Sequence, residues 1–163
     1  MVSFMKWEEM PDKARVWVYA ADRFLSNEEV ARIQDHASEF IDRWSAHGKS
    51  MAACSKVFHN LFLVIAADET QTLASGCSID DSVRFVKRLG GEMNLDFFNR
   101  MLAQYEEGGE IRIKKMHEFW ALRKSGIIDG GTIVFNNLVS SVEEFNNGWR
   151  TSFEKSWHQS MWD

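Results

Sequence analysis

Proline is almost missing from this chain: among 163 residues there is one, Pro11. Proline-rich spacers keep domains apart, so no such linker divides the sequence. One compact body over residues 1–163 is expected, with two subregions, 1–96 and 97–163, meeting near residue 96. Cysteine is scarce too, with only Cys54 and Cys77. Two thiols do not make a disulfide framework, and in an unexported chain they stay reduced. Long apolar runs are absent. The longest, Leu61 to Ala67, is far short of the roughly 20 residues a spanning helix needs. The segment Met1 to Glu9 has no charged stretch followed by an apolar one, so neither export nor membrane insertion is expected, and the cytoplasm is the expected location.

Positive charge is also in deficit. Nineteen Lys and Arg stand against 24 Asp and Glu, a formal net charge of −5. Nucleic-acid binders usually show a basic patch. Here the basic stretches Lys87-Arg88 and Arg112 to Lys115 are diluted by acids and read as solvated faces. The five His and two Cys show no C-x-x-C, H-x-x-x-H or H-E-x-x-H spacing, so neither metal nor cofactor is expected. No G-x-S-x-G elbow occurs.

What the chain does have is large aromatics, seven Trp and twelve Phe against two Tyr. Such residues dominate both core and interface energetics. Hydrophobic residues make up 45%, enough for a sizeable core.

Local patterns place the elements. Arg15 to Ala20 reads as a buried strand. Ser26 with Glu29 is a capping box, and Val30, Ile33, Ala37, Phe40, Ile41 and Trp44 recur at helical spacing after it. His47-Gly48 is expected to close that helix. Ala52 to Phe58 and Leu61 to Ala67 read as strands joined at His59-Asn60, the second of them central in its sheet. Ser78 is expected to cap a second helix, with Asp80 and Asp81 in its first turn and Gly90-Gly91 at its end. Strand, helix, strand, strand, helix would become a ferredoxin-like βαββαβ unit if Phe97 to Tyr105 supplied the last strand. That segment also fits a helix. Beyond it the sequence predicts a hairpin around Glu106 to Glu110, a short helix over 116–124 and a strand over 132–135. Capping boxes at Ser141/Glu144 and Thr151/Glu154 predict a helical C-terminus. The fold class is therefore α+β: a ferredoxin-like N-terminal part, a smaller β-hairpin–helix–strand extension and C-terminal helices.

Two fragments imitate a nucleotide-binding ATPase. Gly48-Lys49-Ser50 matches the end of a phosphate loop, and Leu61 to Glu69 looks like an apolar strand with an acidic pair. The pattern G-x-x-x-x-G-K-[ST] needs glycine where Arg43 stands, and it must open a helix. Here the fragment is expected to close one, where a phosphate would meet carbonyl oxygens instead of free N–H groups. Only 18 residues lie between Lys49 and Asp68, too few for the intervening elements. A genuine P-loop ATPase is not expected.

Several segments resemble a family of uncharacterised bacterial proteins of about this length: Pro11-Asp12-x-Ala14-Arg15-Val16-Trp17, Trp44-x-Ala46-His47-Gly48, Ala74 to Phe85, Thr132 to Asn137 and Ser156-Trp157-His158. Members sometimes carry an automatic "ABC transporter ATPase" label. The resemblance implies no activity. Residues 101–136, a hairpin, a short helix ending at Gly126 and the strand Thr132 to Phe135, resemble a GYF-like module. That resemblance implies binding of proline-rich peptides on an aromatic surface. The Gly-Pro-aromatic signature is missing, and Ile113 to Met116 stands near its place.

Three places carry chemistry-bearing residues. The loop Ser75-Gly76-Cys77-Ser78 runs into a helix start, where backbone N–H groups bind anions and lower a thiol's pKa. Cys77 is then a candidate nucleophile or the loop a ligand site; the alternative is a structural cap beside a buried small residue. His47, beside Trp44, is a candidate base for that thiol or a capping cation. Trp157-His158 either closes a pocket or tethers the chain end. The leading expectation is a non-catalytic binding or assembly module with a protein partner, a homodimer being its simplest form. The alternatives are a small thiol-dependent hydrolase or transferase using Cys77 with His47 or His158, and ligand or anion binding at Ser75 to Ser78.

Overall fold

In the computed structural model, residues 6–70 and 72–162 are described. Of the segment Met1 to Glu9, from which no export is expected, residues 1–5 lie outside them. Strand β1 (Arg15–Ala20) pairs antiparallel with β5 (Phe62–Asp68), and β5 pairs antiparallel with β4 (Ala52–Phe58), giving the order β1-β5-β4. Every residue from Leu61 to Ala67 is buried, because this strand is central and covered on both faces.

Helix α1 (Asn27–Arg43) begins at the predicted capping box. Glu29 N–H donates to Ser26 Oγ at 3.1 Å, and Ser26 N–H donates to Glu29 Oε1 at 3.0 Å. Ile33, Ala37 and Ile41, at helical spacing, are its buried side. The helix stops earlier than expected. Trp44 already has extended backbone, and β2 (Ser45–Ala46) and β3 (Lys49–Ser50) form a small hairpin. His47 and Gly48 are its two turn residues, with φ of 52° and 77°. Two successive positive φ values suit a tight hairpin turn. Gly48-Lys49-Ser50 therefore lies in a turn and a strand, and no helix follows it.

Helix α2 (Gly76–Met93) is capped three residues earlier than expected. Ser75, not Ser78, is the N-cap, and Ser78 is the reciprocal member of its capping box. Gly90-Gly91 does not end the helix, which closes at Asn94 in the left-handed conformation (φ 55°). Gly90 serves a close approach instead, since a Cβ there would lie 2.5 Å from the Leu95 carbonyl oxygen. Glycine lets the chain turn tightly against its own helix.

The fourth strand expected from Phe97 to Tyr105 does not join this sheet. Strand β6 (Leu102–Glu107) pairs instead with β7 (Glu110–Lys115) and β8 (Ile133–Phe135) in a second sheet, completed by β9 (Arg150–Ser152) in the order β7-β6-β8-β9. Its hairpin turns at Gly108 and Gly109, both at positive φ. Helix α3 (Met116–Lys124) follows, so the predicted hairpin, helix and strand are all present. Helix α4 (Val142–Gly148) begins at Ser141, which accepts from Glu144 N–H. The last predicted box is no helix start. Thr151 lies in β9 (Arg150–Ser152), paired with Val134. Only short 3-10 turns, Phe153–Lys155 and Trp157–Trp162, follow. The structure is thus mixed α+β with antiparallel sheets, and none of its helices is long and apolar enough to cross a membrane among the described residues.

Two cores result. The larger joins the first sheet to α1 and α2, and on its other face to α4 and Trp149; the smaller holds Ala103, Tyr105, Phe119, Ile128, Val134 and Phe153. Within the larger core, Phe62 of the first sheet meets Phe135 of the second at 5.0 Å and Trp149 at 4.9 Å between ring centres.

Candidate ligand cleft between the two sheets

The position beside β1 where a fourth strand would lie is filled only at one end. Val16 N–H donates to Ser140 O at 3.1 Å, and Val142 N–H donates to Ala14 O at 2.9 Å. In an antiparallel ladder, alternate residues direct their N–H and C=O to opposite sides. Residues 14 and 16 thus face away from β5, while Ala21 N–H, bonded to Leu61 O at 2.9 Å, faces towards it. The backbone groups of Val18 and Ala20 follow the parity of Val16. They point to the uncovered half of the edge and meet no partner there among the described residues.

That edge is one wall of a cleft of about 520 Å³. Phe97, Phe98 and Leu102 form its apolar floor, Gln104 and Asn137 come from the second sheet and the loop after β8, and Trp157 and His158 close one end. The loop over 95–101 is held by side chains. Asp96 N–H donates to Asp22 Oδ1 at 3.0 Å, Phe98 N–H to Asp96 Oδ1 at 2.8 Å, and Met101 N–H to Asn99 Oδ1 at 2.9 Å. Tyr19 packs its ring edge-on to Phe98, 5.5 Å between centres. Burial holds the Tyr19 phenol above its ordinary pKa, an effect that a hydrogen bond from Ser82 opposes. Leu138, 71% exposed, stands at the mouth.

The polar groups of the cleft have a fixed sense. An indole N–H can only donate. Trp149 Nε1 donates to Asn137 Oδ1 at 2.9 Å, so Asn137 Nδ2 is turned to donate to Gln104 Oε1, also at 2.9 Å. Gln104, buried at 3% exposure, is left with its Nε2 donor uncommitted. His158 is buried, its Nδ1 2.6 Å from Ser156 Oγ and its ring stacked on Trp157 at 3.9 Å. Burial pulls its pKa down to about 4, so the ring is neutral at pH 7. The lining contains one cation, Arg100, and no carboxylate. Arg100 is exposed and makes no ion pair among the described residues.

The residues singled out by sequence lie elsewhere, apart from Trp157 and His158. Cys77 is an exposed free thiol in the first turn of α2, and it hydrogen-bonds neither His47 nor His158. His47 is exposed on the β2–β3 turn. Trp44 is buried, and its Nε1 donates to Ser78 O at 2.8 Å, tying the small hairpin to the start of α2. Ser75 and Ser78 spend their hydroxyls on each other and on the cap. Cys54, a residue of β4, is buried, its thiol pushed up to about 12 by burial and, secondarily, by Glu8. Among the described residues no three His, Cys, Asp or Glu side chains gather as a metal site. A second hollow of about 570 Å³ lies beside the β6–β7 turn, but its charged residues are already paired, Glu106 with Arg150 and Glu107 with Arg112.

Sequence reasoning missed Val18, Ala20, Gln104, Asn137 and Arg100. The motif Thr132 to Asn137 contained one of them, but nothing in it distinguished a cleft amide from a turn residue. No family model matches the chain, and no curated protein and no solved structure matches it either.

Proposed function

We infer that this chain is a non-catalytic binding module whose site is the cleft between the two sheets. The observation that carries this is the lining itself. Ligand sites are concave and mainly apolar, with a few placed polar groups, and here apolar walls surround a fixed amide donor and a neutral imidazole. The same lining holds no thiol and no carboxylate. Among the described residues no hydrogen bond joins the exposed Cys77 to a histidine, which supports binding over thiol chemistry, since a catalytic thiol is activated by a base within hydrogen-bond reach.

Several finer readings belong with this proposal. The strand order β1-β5-β4, with α1 and α2 on one face, supports a ferredoxin-like relationship in which the fourth strand has been given up to the second sheet. The hairpin, helix and strand of residues 102–135 support the GYF-like reading of the fold element, without its proline-binding signature. Two free thiols support a reducing compartment such as the cytoplasm. A protein partner fits an aromatic-lined site, since aromatics are enriched at interfaces.

The test is fragment mapping on the full chain by amide NMR, with phenol and isopropanol as probes. Shifts gathered at the Gln104 side-chain amide, Leu102 and His158 are expected. Shifts spread over the surface, or gathered at Ser75 to Ser78, would sink the assignment.

A further inference from the structure

We propose that the cleft receives an extended, acidic peptide segment of a partner protein, which pairs with the open edge of β1 as its fourth strand. This rests on the cleft being the binding site and names what occupies it. An uncovered strand edge offers a row of backbone donors and acceptors, and proteins usually protect such edges by a charge, a bulge or a covering element. Here Ser140 to Val142 covers the edge as far as Val16 and then leaves. Val18 and Ala20 are left with N–H and C=O groups turned into a cavity. A small rigid ligand matches few of these groups. A peptide strand matches them all, because its own donors and acceptors repeat at the same spacing.

The side walls add selectivity. An incoming strand puts alternate side chains on opposite faces. One face meets Phe97 and Phe98, the other meets Leu138 and the donor of Gln104. Charge sets the sign of the partner. Arg100 is the only charged residue in the lining and has no counter-ion among the described residues. Lys87 sits near by, its Nζ 5.4 Å from the Phe98 ring centre. The acids Asp22 and Asp96 accept from loop amides. A peptide carboxylate at Arg100 completes the site; a basic residue there is repelled. β-Branched residues at alternate positions suit the apolar walls. Proline is excluded at positions whose N–H must reach Val18 O or Ala20 O.

The experiment is selection of random heptapeptides displayed on phage against the immobilised full chain, followed by amide exchange on the winners. Enriched sequences are expected to carry Asp or Glu among β-branched residues. They should protect the Val18 and Ala20 amides and bind about tenfold more weakly to Val18→Pro, which removes one edge donor. Should Val18→Pro not fold, Arg100→Glu serves in its place and should turn the selection towards Lys and Arg. Enrichment of proline-rich peptides, or protection away from β1, overturns the proposal. So does a concentration-dependent dimer that protects Val18 by itself, since a second copy then fills the edge. If phenol and isopropanol gather in the cleft but no strand-like peptide is enriched, this inference falls while the cleft remains the site. If the fragments miss the cleft, the underlying reading falls as well.

Discussion

Trp149 donates its indole N–H to Asn137 Oδ1 across 2.9 Å, and that one bond sets the polarity of the amide pair behind the cleft. Asn137→Asp keeps the acceptor for Trp149 but removes the donor to Gln104. Gln104 must then turn over and present its carbonyl oxygen to the cleft. A loss of about 1–3 kcal/mol is expected in urea unfolding, the range for disturbing a buried hydrogen bond. Any cleft ligand that accepts from Gln104 should weaken in parallel. An unchanged urea midpoint would show that the relay does not order the site.

His158 makes stability depend on pH in a defined direction. Its folded pKa is about 4, below the ordinary value of 6.5, because burial disfavours the charged ring. The unfolded chain therefore binds the proton first as pH falls. Stability from this group is whole above about pH 6.5 and drains away as pH drops towards 4, by up to about 3 kcal/mol. Carboxylates also titrate near the lower end, so the comparison is with His158→Gln. Urea midpoints at pH 7, 5.5 and 4.5 should fall more steeply in the wild type than in the variant. Equal slopes would mean that the ring is not buried as described.

Two adjacent glycines in α2 should respond oppositely to alanine. At Gly90 the new Cβ would meet the Leu95 carbonyl at 2.5 Å, a backbone atom that cannot step aside. Gly90→Ala is expected to cost about 2–3 kcal/mol, as overpacking does. At Gly91 a Cβ meets nothing within 4 Å, and the residue is exposed inside a helix. Gly91→Ala is expected to stabilise by about 0.5–1 kcal/mol, the helix-propensity gain. Thermal unfolding of the two variants checks both signs at once.

The two thiols should separate cleanly. Cys77 is exposed, whereas Cys54 is buried with its thiol pushed up to about 12. The thiolate is the reactive form. Iodoacetamide at pH 8 should add one label per native chain, on Cys77, and a second only in denaturant. Native labelling of Cys54 would show that β4 opens readily.

Strong local signals were legible without the fold. Ser26 and Glu29 bond each other wherever a helix starts between them, so α1 begins where the pattern put it. Gly108-Gly109 sits between two strand-forming segments and can do little but turn. Leu61 to Ala67 is apolar throughout and lies mid-sheet. The weaker boundaries shifted where two residues of one kind compete. Ser75 and Ser78 can both cap a helix, and Trp44 Nε1 bonding Ser78 O fixes which one does. Thr151 with Glu154 fits a helix start, but Val134 offers Thr151 a strand partner.

Sequence by itself determined most of the elements and their order, because capping, turn formation and side-chain period are local physics. Tertiary structure alone decided which sheet β6 enters. A strand carries the same donors and acceptors on its edges whichever partner it finds, so its choice depends on residues far along the chain. With β6 committed to β7 and β8, half of β1 was left open. Val18, Ala20, Gln104 and Arg100 then came together around a cavity that no stretch of sequence contains.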